Sequence, residues 1–147
     1  MSKVVSMSDF LNKYQGYLGG VMKWDDLSLL WSNILKQSET SWYLYAVGEG
    51  VPSSTATTEQ LQQFITSIDV LLHKEHDEDY CGIVYVDDAE DPSFVKIYDP
   101  NNLGVVCGYS DNPPLPGWVM SQVAPQNLQH AFPPPASRQR WWKKIFA

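Results

Sequence analysis

The feature that most constrains the fold is a series of short strand-like runs between residues 81 and 109. The runs over 81–87, 94–99 and 105–109 are rich in Val, Ile, Tyr and Phe, as is typical of β-strands. The intervening segments DDAEDPS and DPNNLG contain the Asp, Asn, Pro and Gly residues that turns require. The sequence therefore predicts an antiparallel strand meander, with DDAEDPS as a solvated acidic turn.

Amphipathic helices accompany these strands. Apolar residues recur at the spacing of one helix face over residues 9–18, 26–37 and 59–75. Asp25 is predicted to cap the second helix, and Thr57 with Gln60 has the spacing of a capping box for the third. Gly19 and Gly20 are predicted to end the first helix, because glycine accepts the left-handed conformation of a helix end. The first two helices would then form a helical hairpin.

The order of elements defines the expected fold class. A further strand is predicted over residues 41–47, between the second and third helices, and a fifth over 118–123. Helices, a strand, a helix and then a strand meander indicate an α+β fold, with a mainly antiparallel sheet of four or five strands and helices packed on it. A chain of 147 residues suits one domain. We assign residues 1–137 to that domain and residues 138–147 to a C-terminal tail.

Side-chain alternation predicts the register of the meander. If the first two strands pair with Val84 opposite Ile97, then Val86 lies opposite Val95. If the next pair places Ile97 opposite Val106, all five aliphatic side chains share one face. We expect the third helix to cover this face.

The opposite face of the sheet is predicted to be aromatic. Its members would be Cys81, Ile83, Tyr85, Phe94, Lys96, Tyr98, Val105, Cys107 and Tyr109. Two interpretations remain open. The first two helices cover this face and make it core, or the face is a binding surface on which Tyr85, Tyr98 and Tyr109 contact a partner.

The two cysteines are expected to be reduced and unpaired. Cys81 and Cys107 share the aromatic face, but a central strand separates them by roughly 10 Å, more than the about 7 Å that a disulfide allows between Cα atoms. The first residues, MSKVVSMSDFLNKYQ, lack the pattern of a secretory signal. Both observations favour a cytoplasmic protein with free thiols.

One alternative is a thiol- or metal-dependent enzyme. His73 and His76 lie three residues apart near a helix end, and with Cys81 and Cys107 they form a zinc ligand set of the right chemical type. The spacing lacks the paired Cys-x-x-Cys signature, and the predicted register turns Cys81 away from His76. We therefore predict no metal and no other cofactor, and keep these four residues as the alternative.

Charge is distributed unevenly along the chain. All 17 acidic residues but only six of the ten basic ones precede position 138, so residues 1–137 carry −11 and the last ten residues +4. The acidic body disfavours nucleic-acid binding, which depends on phosphate contacts. In the tail RQRWWKKIFA, the residue types typical of interface hot spots are Arg138, Arg140, Trp141 and Trp142. We expect the tail to dock on protein, either on its own chain or on a partner. A peripheral membrane role is the weaker alternative, because anionic lipid repels the acidic body.

The sequence contains no convincing catalytic or cofactor motif. It therefore favours a non-enzymatic cytoplasmic module, an interaction or accessory protein that binds another protein.

Overall fold

The computed structural model describes residues 9–37, 40–102, 115–128 and 134–146. These ranges contain α1 Asp9–Gln15, β1 Gly19–Val21, α2 Trp24–Lys36, β2 Tyr43–Ala46, α3 Thr58–Glu75, β3 Val84–Val86, β4 Phe94–Ile97, a 3₁₀ turn Pro100–Asn102, β5 Trp118–Ser121 and α4 Ala136–Ile145. The predicted α+β class is confirmed, and so are both N-terminal helices and the fifth strand. Within the described ranges, no helix combines the length and the apolar composition that crossing a bilayer demands.

The five strands form one sheet in the order β1-β3-β4-β5-β2, and every pairing is antiparallel. Val84 lies opposite Ile97 and Val86 opposite Val95, which confirms the predicted register. The second predicted pairing is wrong, because the partner of Ile97 on its other side is Trp118 of β5. A central strand has only two neighbours, so no place beside β4 remains for Val106. The predicted strand over 105–109 itself lies outside the described residues.

One face of the sheet is buried under α2 and α3. The aliphatic side chains of β3 and β4 join one hydrophobic cluster with buried residues of both helices. From α2 these are Leu27, Leu30, Trp31 and Ile34, and from α3 Phe64, Ile65, Ile68, Leu71 and Leu72. The prediction that the third helix covers this face is confirmed, and α2 lies beside it.

The other face is covered by α1. Phe10 is fully buried, with its ring centroid 5.4 Å from that of Phe94 and 6.3 Å from that of Tyr45. A second, smaller cluster forms around these three residues and Val119. The sheet therefore lies between α1 on one side and the remaining helices on the other, so of the two N-terminal helices only α1 covers the aromatic face.

The helix starts follow from local hydrogen bonds. The capping box of α3 is present: the Thr57 hydroxyl accepts from the Gln60 N–H at 3.1 Å, and the Gln60 side chain accepts from the Thr57 N–H at 2.9 Å. The prediction that Asp25 caps α2 is wrong, because the cap position is Lys23 and makes no side-chain bond. Asp25 lies in the first turn instead, where a negative charge is favourable beside the helix dipole.

A short strand between α1 and α2 was not predicted. The first helix ends at Gln15, before the glycine pair, and Gly19 and Gly20 begin β1 rather than end a helix. A three-residue strand with two glycines and one β-branched residue, Val21, is too short to show the alternation by which strands are recognised. It forms because β3 offers it a partner, with Gly19 opposite Val86 and Val21 opposite Val84.

The predicted orientation of Cys81 is wrong. Gly82 has a φ of 71°, in the left-handed region, so the extended strand begins only at Val84. The side-chain alternation assumed from residue 81 onward is therefore interrupted. Cys81 is 0% exposed and lies in the larger cluster, on the side of α3 rather than on the aromatic face.

Replacing Thr57 with Ala should lower the free energy of unfolding by about 1 kcal/mol, because one N–H at the start of α3 loses its acceptor. Urea denaturation measures the change. Thr57→Ser, which keeps the hydroxyl, is the matched control and should retain most of the stability. Equal losses in the two variants would contradict a role for the hydroxyl.

Candidate functional site

The aromatic side chains of the tail contact the chain itself. The Trp141 ring lies 5.3 Å from that of Trp118 and 6.3 Å from that of Phe64, measured between centroids. Trp142 packs edge to face on Phe64 at 5.9 Å. Ile145 is buried in the larger cluster. These contacts extend the hydrophobic core across α4, whereas partner binding by Trp141 and Trp142 stays a prediction.

An ion network holds the start of α4. The Arg138 Nε donates to Asp99 Oδ2 at 2.8 Å, and its Nη2 donates to Glu75 Oε1 at 2.6 Å and to Asp99 Oδ1 at 3.0 Å. The Arg138 side chain is only 12% exposed. The hydrogen bond from Arg138 lowers the pKa of Glu75. Arg140, two residues further on, is exposed and forms no ion pair within the described ranges.

Arg138→Ala should cost about 2–3 kcal/mol of unfolding free energy, because it leaves the buried Asp99 and the partly exposed Glu75 without their cation. Arg140→Ala, on the same helix, should change stability by less than about 0.5 kcal/mol. Urea denaturation of both variants at pH 7 gives the comparison. Equal effects would show that the network contributes no more than an exposed arginine.

The stability lost in Arg138→Ala should depend on pH. The folded-state pKa of Glu75 is below its ordinary value of 4.5. The contribution of ionised Glu75 to the free energy of unfolding is therefore fully present above pH 4.5, and it is lost as the pH falls through the folded-state pKa. The stability difference between the wild-type chain and Arg138→Ala should therefore shrink in acid. A difference that stays constant from pH 7 to the acid transition would contradict the assignment.

Two of the three candidate tyrosines come together on the aromatic face. The rings of Tyr85 and Tyr98 meet edge to face at 5.8 Å, and both side chains are half-buried. Beside them the Lys96 Nζ lies 3.8 Å above the Tyr14 ring of α1. Burial raises the pKa of Tyr98. Tyr109 lies outside the described residues, and partner binding by this face stays a prediction.

The two candidate histidine ligands contact other groups of the chain. The His76 Nε2 lies 2.8 Å from the Cys81 carbonyl oxygen, and since a carbonyl only accepts, this nitrogen carries a proton. His73 stacks on Trp24 at 4.2 Å and pairs with Asp69 at 3.5 Å. His76 and Cys81 are therefore close, contrary to the predicted register. The atom of Cys81 that contacts the imidazole is the backbone carbonyl oxygen and not the thiol sulfur.

Across the described part of the chain, no three His, Cys, Asp or Glu side chains are arranged to hold a metal ion. Cys107, the fourth residue of the candidate set, lies outside that part.

Cys81 has none of the features of a reactive thiol. It is a free cysteine, fully buried, and burial raises its pKa. Reactive cysteines are partly exposed and have a lowered pKa.

Iodoacetamide at pH 7.5 should therefore label Cys81 rapidly in urea and much more slowly in the native protein, as measured by peptide mass spectrometry. A native rate equal to that in urea would contradict the buried position. A bridge between Cys81 and Cys107 in material prepared without oxidant would contradict the expectation of two free thiols.

A groove that no sequence pattern predicts lies at the β1 edge of the sheet and is here called the β1 groove. It has a volume of about 510 Å³ and is lined by β1, by α2 and by the loop after β3. Its lining residues are Tyr17, Gly19, Gly20, Val21, Met22, Asp26, Leu29, Leu30, Asn33, Val86, Asp87, Asp88, Ala89 and Glu90. Buried aliphatic side chains of three separate elements contribute to its apolar lining: Val21, Leu30 and Val86.

Large apolar side chains at the β1 groove are exposed to solvent. Tyr17 is 88% exposed, Leu29 57% and Met22 54%. Exposed apolar side chains grouped around a concave surface are typical of interaction sites, whereas single ones are ordinary. The glycine pair that forms the edge strand is the only sequence signal at this place, and it was interpreted as a helix end.

The acidic loop at one end of the β1 groove is held in place. The Asp87 Oδ1 accepts from the backbone N–H of Ser93 at 3.0 Å and of Phe94 at 3.1 Å. Burial opposes ionisation of Asp87, but the hydrogen bond from the Ser93 hydroxyl, together with these backbone bonds, outweighs it and lowers the pKa of Asp87. The Asn33 side chain donates to the Ala89 carbonyl at 2.9 Å, which ties the loop to α2. The predicted solvated turn is thus an ordered wall of the groove.

Comparison with models of known protein families, with characterised proteins and with solved structures gave no match.

Proposed function

We propose that this chain is a non-enzymatic cytoplasmic interaction module that binds another protein at the β1 groove. One observation carries the proposal: an open sheet edge lies beside a concave surface with exposed apolar side chains. Among the described strands, β1 pairs with β3 on one side and with none on the other. Monomeric proteins usually cover or blunt such edges, so an open edge beside apolar side chains indicates a place where a partner binds.

The opposite edge of the sheet provides an internal comparison. There the Ala56 N–H donates to the Trp42 carbonyl at 2.8 Å, so the segment before α3 runs beside the start of β2. Residues 52–56 line a small hollow with Leu44 of the same strand. One edge is therefore screened by the chain itself, and this contrast supports binding at the other edge.

Two further features are consistent with the proposal. Cys81 has no disulfide partner among the described residues, and unpaired cysteines are usual in a reducing compartment. The apolar part of the tail contacts its own chain, whereas Tyr17, Met22 and Leu29 at the β1 groove are exposed. The predicted contribution of the tail to partner binding remains a second, separate hypothesis.

Capture from a lysate of the producing cells tests the proposal. The immobilised full chain is compared with Leu29→Glu, which places a charge at the β1 groove. The matched control is Val70→Glu, because Val70 is 60% exposed, nearly the same as Leu29, but lies on α3 and does not line the groove. Both substitutions change a surface residue, so we expect similar unfolding midpoints for all three proteins.

At least one protein retained by the wild-type chain and by Val70→Glu should be lost with Leu29→Glu. Quantitative mass spectrometry of the retained proteins gives the measurement. Identical captured sets for all three chains would refute binding at the β1 groove.

A further inference from the structure

We infer that the β1 groove receives an extended basic segment of a partner protein, which pairs with β1 as a sixth strand. This inference rests on the proposed function and specifies the chemistry of the partner. It follows from the direction of the β1 backbone groups, from the apolar lining of the groove and from the charge of its rim.

The hydrogen bonds of β3 fix which backbone groups of β1 point outward. In an antiparallel sheet, successive residues direct their N–H and C=O groups to opposite sides. The Tyr98 N–H donates to Ile83 and the Asp87 N–H to Phe94, so Ile83 and Asp87 face β4. By alternation, Val84 and Val86 face β1.

The partners of Val84 and Val86 on β1 are Val21 and Gly19, which therefore face inward. The bond from the Gly82 N–H to the Val21 carbonyl agrees with this direction. Gly20 lies between the two inward-facing residues, so its N–H and C=O point to the open edge. Gly20 is also exposed. Its two backbone groups can form the narrow hydrogen-bonded pair by which an antiparallel strand begins to add.

The rim of the β1 groove is acidic, and only one of its carboxylates has a cation beside it among the described residues. The lining includes four carboxylates and no Lys or Arg. Asp87 is partly neutralised by Lys13, whose Nζ lies 3.5 Å from it. Asp26 and Glu90 are exposed, and in the described part of the chain neither forms an ion pair. A segment with Lys or Arg beside its apolar residues matches this pattern in both charge and apolarity.

A second copy of the chain fits this surface less well. Two β1 edges brought together would place two acidic rims against each other, and opposed like charges are destabilising. The basic tail of a second copy offers no extended segment, because it is helical over Ala136–Ile145 and its Arg138 is held by Glu75 and Asp99. The observations therefore favour a basic segment from another protein.

The probe is a fluorescein-labelled heptapeptide of alternating Lys and Val, titrated with the full chain and followed by fluorescence anisotropy. We expect saturable binding, with affinity reduced about tenfold or more when Glu replaces every Lys. A third peptide, N-methylated at the residues around its centre, keeps charge and side chains but removes backbone donors. It should bind about tenfold more weakly, since losing one or two hydrogen bonds costs roughly 1–2 kcal/mol.

Charge reversal on the protein distinguishes attraction to the rim of the β1 groove from attraction to the net negative charge of the chain. Asp26→Lys combined with Glu90→Lys should weaken binding of the Lys-Val peptide about tenfold or more. Asp77→Lys combined with Asp79→Lys changes the net charge equally, at exposed positions outside the groove lining, and should have a much smaller effect. Circular dichroism establishes that each variant is folded.

Several outcomes would overturn the inference. Equal losses in the two double variants would mean general charge attraction, and equal binding of the N-methylated peptide would exclude strand pairing. Sedimentation showing a dimer that Leu29→Glu dissociates would identify a second copy as the occupant. A photo-crosslinker at position 29 that labels residues 1–8 of the same chain would identify the chain's own segment.

If the peptides fail while capture from lysate still depends on Leu29, the proposed function stands and the basic extended partner is wrong. If capture does not depend on Leu29, the proposed function itself fails. The two failures are therefore distinguishable.

Discussion

The burial of both faces of β4 is the constraint on which the rest of the structure depends. Along this strand Phe94 points to α1, whereas Val95 and Ile97 point to α2 and α3. A strand buried on both faces needs helices on both sides, and it also needs hydrogen-bonded neighbours on both edges. The helices of this chain meet the first requirement and β3 and β5 the second. The consequence appears at the edges of the sheet: β2 is screened by the segment before α3, whereas no described strand pairs with the outer edge of β1.

Side-chain periodicity was sufficient to predict much of this arrangement. The alternation of Val84 and Val86 with Val95 and Ile97 gave the correct register for β3 and β4, because a slip by one residue would turn aliphatic side chains away from the core. The apolar stripe over residues 59–75 and the capping box of Thr57 and Gln60 likewise predicted α3 correctly. In each case, a local pattern and the buried environment impose the same choice.

The errors occurred where backbone conformation or distant pairing decides the outcome. Gly82 in the left-handed region reverses the side on which Cys81 falls, and no periodicity records such a reversal. The choice of β5 rather than the nearer run 105–109 as the neighbour of β4 depends on the whole sheet. The β1 groove escaped prediction because it is built from a glycine pair, one side of α2 and a turn, none of which carries a functional motif.

The charge asymmetry of the chain has a structural counterpart that links the tail to the groove. Of the four cations in the last ten residues, Arg138 is held by two carboxylates of the body, and this ion network ties α4 to the ends of α3 and β4. Because Arg138 lies in that network, its charge cannot also compensate Asp26 and Glu90 at the β1 groove. The net charge of −11 over residues 1–137 is thus partly balanced at the tail and left unbalanced at the open edge of the sheet. An acidic rim costs little while it is solvated, and its attraction for a cation strengthens as water is excluded from between them. The geometry therefore favours a contact that is selective for charge but modest in strength, with orientation supplied by the backbone of Gly20 and not by the side chains of the rim.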